Sequence, residues 1–173
     1  MDNGGFKMPR AKYQFEDDFL VKVSDEYKSF VANVHEMLID KGFKIKIQVT
    51  KSMGLRATYS QPKIKTVKGI ILYFFFRDDK LMIRVDAENH EKYPDVLNRL
   101  PERIVNQIDQ ANDCVKFVDP EKCWKGCIGY DFHIGGKHYQ KCYGVCFQFE
   151  VDSKSIPFLI DLIEHESKER CAV

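Results

Sequence analysis

One amphipathic helix followed at once by a run of alternating segments constrains this chain more than any other feature. Across residues 43–50 the alternation is strict, so Phe43, Ile45, Ile47 and Val49 are expected to face inward and Lys44, Lys46 and Gln48 outward. That is the period of a half-buried strand. Residues 55–60 repeat the pattern more weakly, and residues 69–76 are apolar on both faces, as a central strand requires. After a turn at Asp78-Asp79, Leu81, Ile83 and Val85 carry the alternation on. Strands joined by short turns pair antiparallel. Ahead of them Tyr27, Phe30, Val31, Val34, Met37 and Leu38 recur at helical spacing. Ser24 is placed as N-cap, Asp25 and Glu26 suit the positive helix start, and Gly42 is placed to end the helix.

The second half is more mixed. Two helices are expected over residues 89–99 and 101–110, divided at Leu100-Pro101, then a strand over 115–118 and another over 147–151. A last helix is expected from about Ser155 to about Glu166, with Pro157 in its first turn and Ile156, Leu159, Ile160 and Ile163 facing inward. The expected architecture is one α+β domain over residues 21–173 behind an arm of residues 1–20. It comprises an N-terminal helix on an antiparallel sheet, a helical insertion, a Cys-framed hairpin and a closing helix. At 173 residues the chain is long enough for one sizeable core, and its 13 Phe and 8 Tyr suit a sheet packed on large rings.

Four cysteines frame the hairpin as Cys123-x3-Cys127-x14-Cys142-x3-Cys146. Gly135-Gly136 marks its turn, because both central residues of such a turn need positive φ. Centred there, the strands place His133 opposite His138, Phe132 opposite Tyr139, Asp131 opposite Gln140, Tyr130 opposite Lys141 and Ile128 opposite Tyr143. Ile128, Tyr130, Phe132, Ile134, Tyr139 and Tyr143 then form the core face, leaving Cys127, Asp131, His133, His138, Gln140 and Cys142 on the other, with Cys127 and Cys142 as diagonal neighbours. Strand residues four apart stand roughly 13 Å from each other, so a shared metal requires both Cys-x3-Cys segments to bend. Gly126 and Gly144 are placed to allow it.

Paired cysteines at this spacing suit a thiolate site, and zinc bound by Cys123, Cys127, Cys142 and Cys146 is the leading expectation. Two other readings stand beside it: thiols that respond to oxidation, and plain buried side chains. Cys114 and Cys171 fit no spacing. His133 and His138 form a facing pair whose simplest role is a solvent-facing one near the turn. The chain carries no glycine-rich phosphate loop, no G-x-S-x-G elbow and no H-E-x-x-H helix. A thiol-dependent enzyme built on Cys127 or Cys142 with a histidine is therefore the third functional reading, and an enzyme is the less expected outcome.

Charge supplies the second. The net charge is +1, yet residues 41–77 hold nine Lys or Arg and no Asp or Glu. Residues 78–113 hold nine acidic residues against five basic ones. Lys44 and Lys46 share the outward face of one strand, and Arg56 with Thr58 extends it on the next. Such a face suits nucleic acid or another anionic ligand. A solvated face whose lysines discourage edge pairing is the alternative. Residues 1–6 lack the basic start and apolar stretch of a signal peptide, and no apolar run reaches the length of a membrane span. Cytoplasm is the expected location, with no membrane partner.

Residues 129–142 (GYDFHIGGKHYQKC), Tyr143-Gly-Val-Cys-Phe-Gln-Phe149 and Leu100-Pro-Glu-Arg103 resemble a group of small, cytosolic, Firmicutes-type bacterial proteins without assigned activity. The resemblance implies a cytosolic bacterial origin and carries over no functional residue. The helix, sheet and late helices are also similar in layout to YdhG-like and YjbR-like α+β domains. Together these readings describe a cytosolic binding or regulatory module with a structural zinc site.

Overall fold

The computed structural model describes residues 13–61, 69–125 and 127–172. Helix α1 (Asp25–Asp40) leads into strands β1 (Lys44–Thr50), β2 (Gly54–Ser60), β3 (Ile70–Arg77) and β4 (Lys80–Val85). Helices α2 (Pro94–Asn98) and α3 (Glu102–Gln110) follow, then β5 (Tyr130–Ile134), β6 (Lys137–Lys141), β7 (Gln148–Glu150) and α4 (Ile156–Cys171). The main sheet has the order β1-β2-β3-β4-β7 with every pair antiparallel, and β5-β6 forms a separate hairpin. This is the α+β fold that the alternating pattern implies. Among the described residues no helix is long and apolar enough to cross a membrane.

One sheet face carries Ala57, Tyr59, Phe74, Ile83 and Phe149, all fully buried. Helix α1 lies over it: Phe30 meets Phe74 edge-on, with ring centroids 5.8 Å apart. Before α1, Phe15–Phe19 forms one wide π-helical turn and Leu20–Lys22 a tight one, and the Phe19 ring lies between Phe74 and Phe76 at 6.5 and 5.4 Å. The hairpin extends the same core. Phe147, just before β7, packs against Tyr130 at 4.8 Å and Phe132 at 5.4 Å.

Several expectations are corrected. Val49 is 60% exposed, because β1 is the outer strand and its far end runs beyond the covering helix. Residues 89–99 do not form one helix: a turn at His90–Lys92 is separated from α2 by Tyr93, whose φ of −136° is extended. Pro94 explains the break, since it cannot supply the N–H that a continuous helix needs and biases the preceding residue away from helix. Val115–Phe117 is a tight helical turn and not a strand. Its backbone closes on itself through Phe117 N–H to Cys114 O at 3.1 Å and Asp119 N–H to Val115 O at 2.7 Å.

The hairpin register is the one expected, with His133 opposite His138 and Tyr130 opposite Lys141, but it stops there. Ile128 and Tyr143 do not pair, and Ile128 is exposed. Two features end the ladder: Gly129 turns at φ +67°, and the Cys142 N–H donates to Asn112 O at 2.9 Å. Lys141 falls on the inward face and is buried. Its ammonium donates to Asp109 O at 3.0 Å and Ala111 O at 2.8 Å, the carbonyl end of α3, where a cation is favoured.

Helix α4 runs five residues past the expected end at Glu166 because its inner stripe becomes ionic rather than stopping. Glu166 and Arg170 are both buried one turn apart, and the Arg170 guanidinium donates to Glu166 at 2.6 Å and to Asp86 O at 2.6 Å. Asn89 and Tyr93 also donate to the Glu166 carboxylate.

Candidate metal centre

The chain leaving α3 is drawn alongside the open end of the hairpin. Asp113 bridges to Lys141, and the Cys114 N–H donates to Gln140 O at 2.9 Å. This puts Cys114, which no sequence spacing singles out, beside the cysteine frame. Turns at Val115–Phe117 and Pro120–Lys122 then bring the chain back, and the Cys127 N–H closes a further turn on Trp124 O at 2.9 Å. The sulfurs of Cys114, Cys123 and Cys127 all lie within 4.8 Å of one another. Four thiolates 2.3 Å from a tetrahedral ion stand about 3.8 Å apart, so the three need only a small inward movement to share one.

The local backbone favours charge on two of these sulfurs. Burial works against a charged Cys127, yet amides of Gly129 and Tyr143 and the thiols of Cys123 and Cys114 hold its pKa below the ordinary thiol value. For Cys114 burial prevails and pushes the thiol up to about 11, although the Lys116 amide opposes it and the neighbouring Cys127 adds to it. Burial, then the thiol of Cys127, raises Cys123. Cys114 and Cys127 thus each receive an amide from two residues onward, the arrangement that stabilises a thiolate without another side chain.

Gly129 belongs to this arrangement. A Cβ there would stand 2.7 Å from Phe117 Cε2 and 3.2 Å from Cys114 Sγ. Cys142 borders the same pocket of about 380 Å³, together with Trp124 and Tyr143, but lies outside the group of three mutually close sulfurs. Cys146 is also outside that group; it is fully buried, and burial pushes its thiol well up despite the charge of Lys141. The Cys142–Cys146 segment does bend, with the Cys146 N–H on Cys142 O at 3.0 Å. Gly126, the other expected bending point, lies outside the described residues. Cys171 is exposed at the end of α4.

No histidine joins the cluster. His133 and His138 stack on the exposed hairpin face with ring centroids 4.7 Å apart, and His138 Nε2 lies 2.7 Å from Asp131 Oδ1. Gln140, then His138, holds the Asp131 carboxyl below its ordinary value. Among the described residues, the three cysteines are the only set of metal-ligating types gathered this closely. Of the basic stretch, Lys44 and Lys46 are exposed on one sheet face with Arg56 half-buried beside them, while Lys63, Lys65 and Lys68 lie outside the described residues.

Sequence reasoning missed Cys114 and the buried ions of α4. Nothing in spacing marks the first, because a tertiary contact with β6 places it. The second had a signal: Leu159, Ile163, Glu166 and Arg170 continue one helical stripe. Of the resemblance drawn at the hairpin, the structure bears out only a small α+β layout. No known protein family, curated protein sequence or solved structure matches the chain.

Proposed function

We propose that the protein is a binding or regulatory module in which one zinc ion, held by Cys114, Cys123, Cys127 and Cys142, pins the segment between α3 and β5 to the hairpin. The observation that carries this is the convergence of three sulfurs from separate turns, two of them under backbone amides. Cys142 is assigned as fourth ligand because it borders the same pocket, whereas Cys146 stays in the core. An all-sulfur tetrahedral set suits zinc, and a closed set of four protein ligands leaves no position for substrate. That favours a structural role over catalysis. The pinned segment also holds five of the nine large apolar side chains exposed among the described residues: Val115, Phe117, Val118, Trp124 and Ile128. Holding such a surface in one shape is what a docking module needs.

Elemental analysis of protein purified without a tag or chelator tests the reading. One zinc per chain, lost with a fall in melting temperature in Cys142→Ser, is the expected result. Protein free of metal whose thiols titrate readily would overturn it and return the cluster to thiol redox chemistry or plain packing.

A further inference from the structure

The outer face of the hairpin carries a second group of ligand-bearing side chains. The two-residue turn at Gly135-Gly136 makes Ile134 and Lys137 the first, hydrogen-bonded pair of the ladder, so His133 and His138 form the next, non-hydrogen-bonded pair. Side chains approach most closely at such a pair. The two imidazoles lie face to face, with ring centroids 4.7 Å apart and planes 17° apart. Asp131 stands two residues before His133 on the same face, with Gln140 opposite it. This face is open to solvent: His133 is exposed, and the side chains of His138 and Asp131 are 49% and 46% exposed, so an ion in solution reaches them directly.

Hydrogen bonds give the two rings different roles. His138 Nε2 stands 2.7 Å from Asp131 Oδ1, and Gln140 Nε2–H donates to Asp131 Oδ2 at 2.8 Å. A carboxylate only accepts, so Nε2 of His138 carries the hydrogen, and Nδ1 of the neutral ring keeps a free lone pair. Histidines that ligate metals are oriented in this way, their second N–H held by a carboxylate. Neither ring nitrogen of His133 is hydrogen-bonded among the described residues, so that ring is free to turn toward the same point. Two nitrogens about 2.1 Å from one ion stand about 3–3.5 Å apart, so a modest tilt of the exposed rings brings them into position.

We propose that His133 and His138 form a second metal site, independent of the cysteine cluster, for a divalent transition-metal ion, with Asp131 as the positioning residue that holds His138. Imidazole donors suit zinc, nickel or copper(II), whereas calcium and magnesium require oxygen ligands. Two protein ligands leave the remaining positions to water. The ion on this face therefore exchanges with solution, in contrast to one enclosed by four thiolates.

The test is titration of the intact protein with zinc(II), following the ring signals of its five histidines by NMR. His133 and His138 should shift together and saturate, at lower zinc concentration than His165, which is 42% exposed on α4 and stacks on no imidazole among the described residues. Uptake by the cysteines, at the other end of the hairpin, is read separately because it leaves these rings in place. His133→Gln, at an exposed strand position, should keep the fold and weaken the response of His138 at least about tenfold, since the second ligand of a chelate binds intramolecularly. Asp131→Ala should weaken it roughly tenfold and let the His138 ring populate its other tautomer, which the ring nitrogen shifts report. Calcium in place of zinc should leave both rings unmoved. Equal affinity in wild type and His133→Gln would overturn the proposal. So would saturation of His133 and His138 only where His165 also responds, the mark of adventitious binding. An Asp131→Ala variant with unaltered tautomer and affinity would remove Asp131 from the site.

Discussion

Gly129 passes against the edge of Phe117 with no room for a side chain, since a Cβ would come within 2.7 Å of that ring. The same residue turns at φ +67° and supplies an amide to Cys127. Gly129→Ala therefore combines left-handed backbone strain with a contact from which the partly exposed Phe117 ring must shift, and should cost roughly 2–3 kcal/mol. Gly135→Ala is the control: its φ is +56°, but nothing lies within 4 Å of the added Cβ. Backbone strain alone should cost it roughly 1–2 kcal/mol. Urea unfolding of the two variants measures the difference, and equal losses would remove the steric part of the argument.

Cys114→Ser and Cys146→Ser should separate ligand from core. The first removes one of the three close sulfurs, so zinc content should fall. The second places a hydroxyl at a fully buried position, which should cost roughly 1–3 kcal/mol with zinc retained. Trp124, the chain's one tryptophan, lines the pocket and is 61% exposed, so its fluorescence should change on chelation. Zinc lost from Cys146→Ser and kept in Cys114→Ser would reassign the ligands.

Metal affinity should rise with pH. Cys114 free of metal titrates near 11 and is protonated at neutral pH, while Cys127 loses its proton more readily than an ordinary thiol. Binding a metal must displace those protons, so acid competes with it. Each proton released should change the affinity about tenfold per pH unit, which competition with a chromogenic chelator at several pH values reads directly. An affinity that is flat across neutral pH would argue that the thiols are not the ligands.

The Glu166–Arg170 pair is sealed from solvent, so removing one partner should cost more than removing both. Arg170→Met leaves the buried carboxylate without its counter-ion, held by Asn89 and Tyr93 alone, and should cost roughly 3–5 kcal/mol. Adding Glu166→Gln should recover part of that loss, because a neutral amide can still accept from Tyr93. Denaturant unfolding of the single and double variants tests it. A double variant less stable than Arg170→Met would show that the carboxylate is satisfied without the arginine.

Expectation and structure part at identifiable places. The antiparallel order and the hairpin register were legible because both depend on local rules: a two-residue period and a turn that glycine permits. The ladder's end at Tyr130 and Lys141 was not legible, since it depends on Asn112 accepting from Cys142 across thirty residues of chain. The four framing cysteines were visible by spacing, yet the close group takes Cys114 in and includes neither Cys142 nor Cys146.

By itself the sequence determined the helix, the meander and the hairpin, because backbone conformation and side-chain alternation act between near neighbours. Only the tertiary structure decided which thiols meet, which arginine keeps an internal counter-ion and where α4 ends. Those outcomes depend on desolvation and on partners far along the chain. A cysteine, a lysine or a glutamate costs little in water and much in a core, so its role is set by what folds over it.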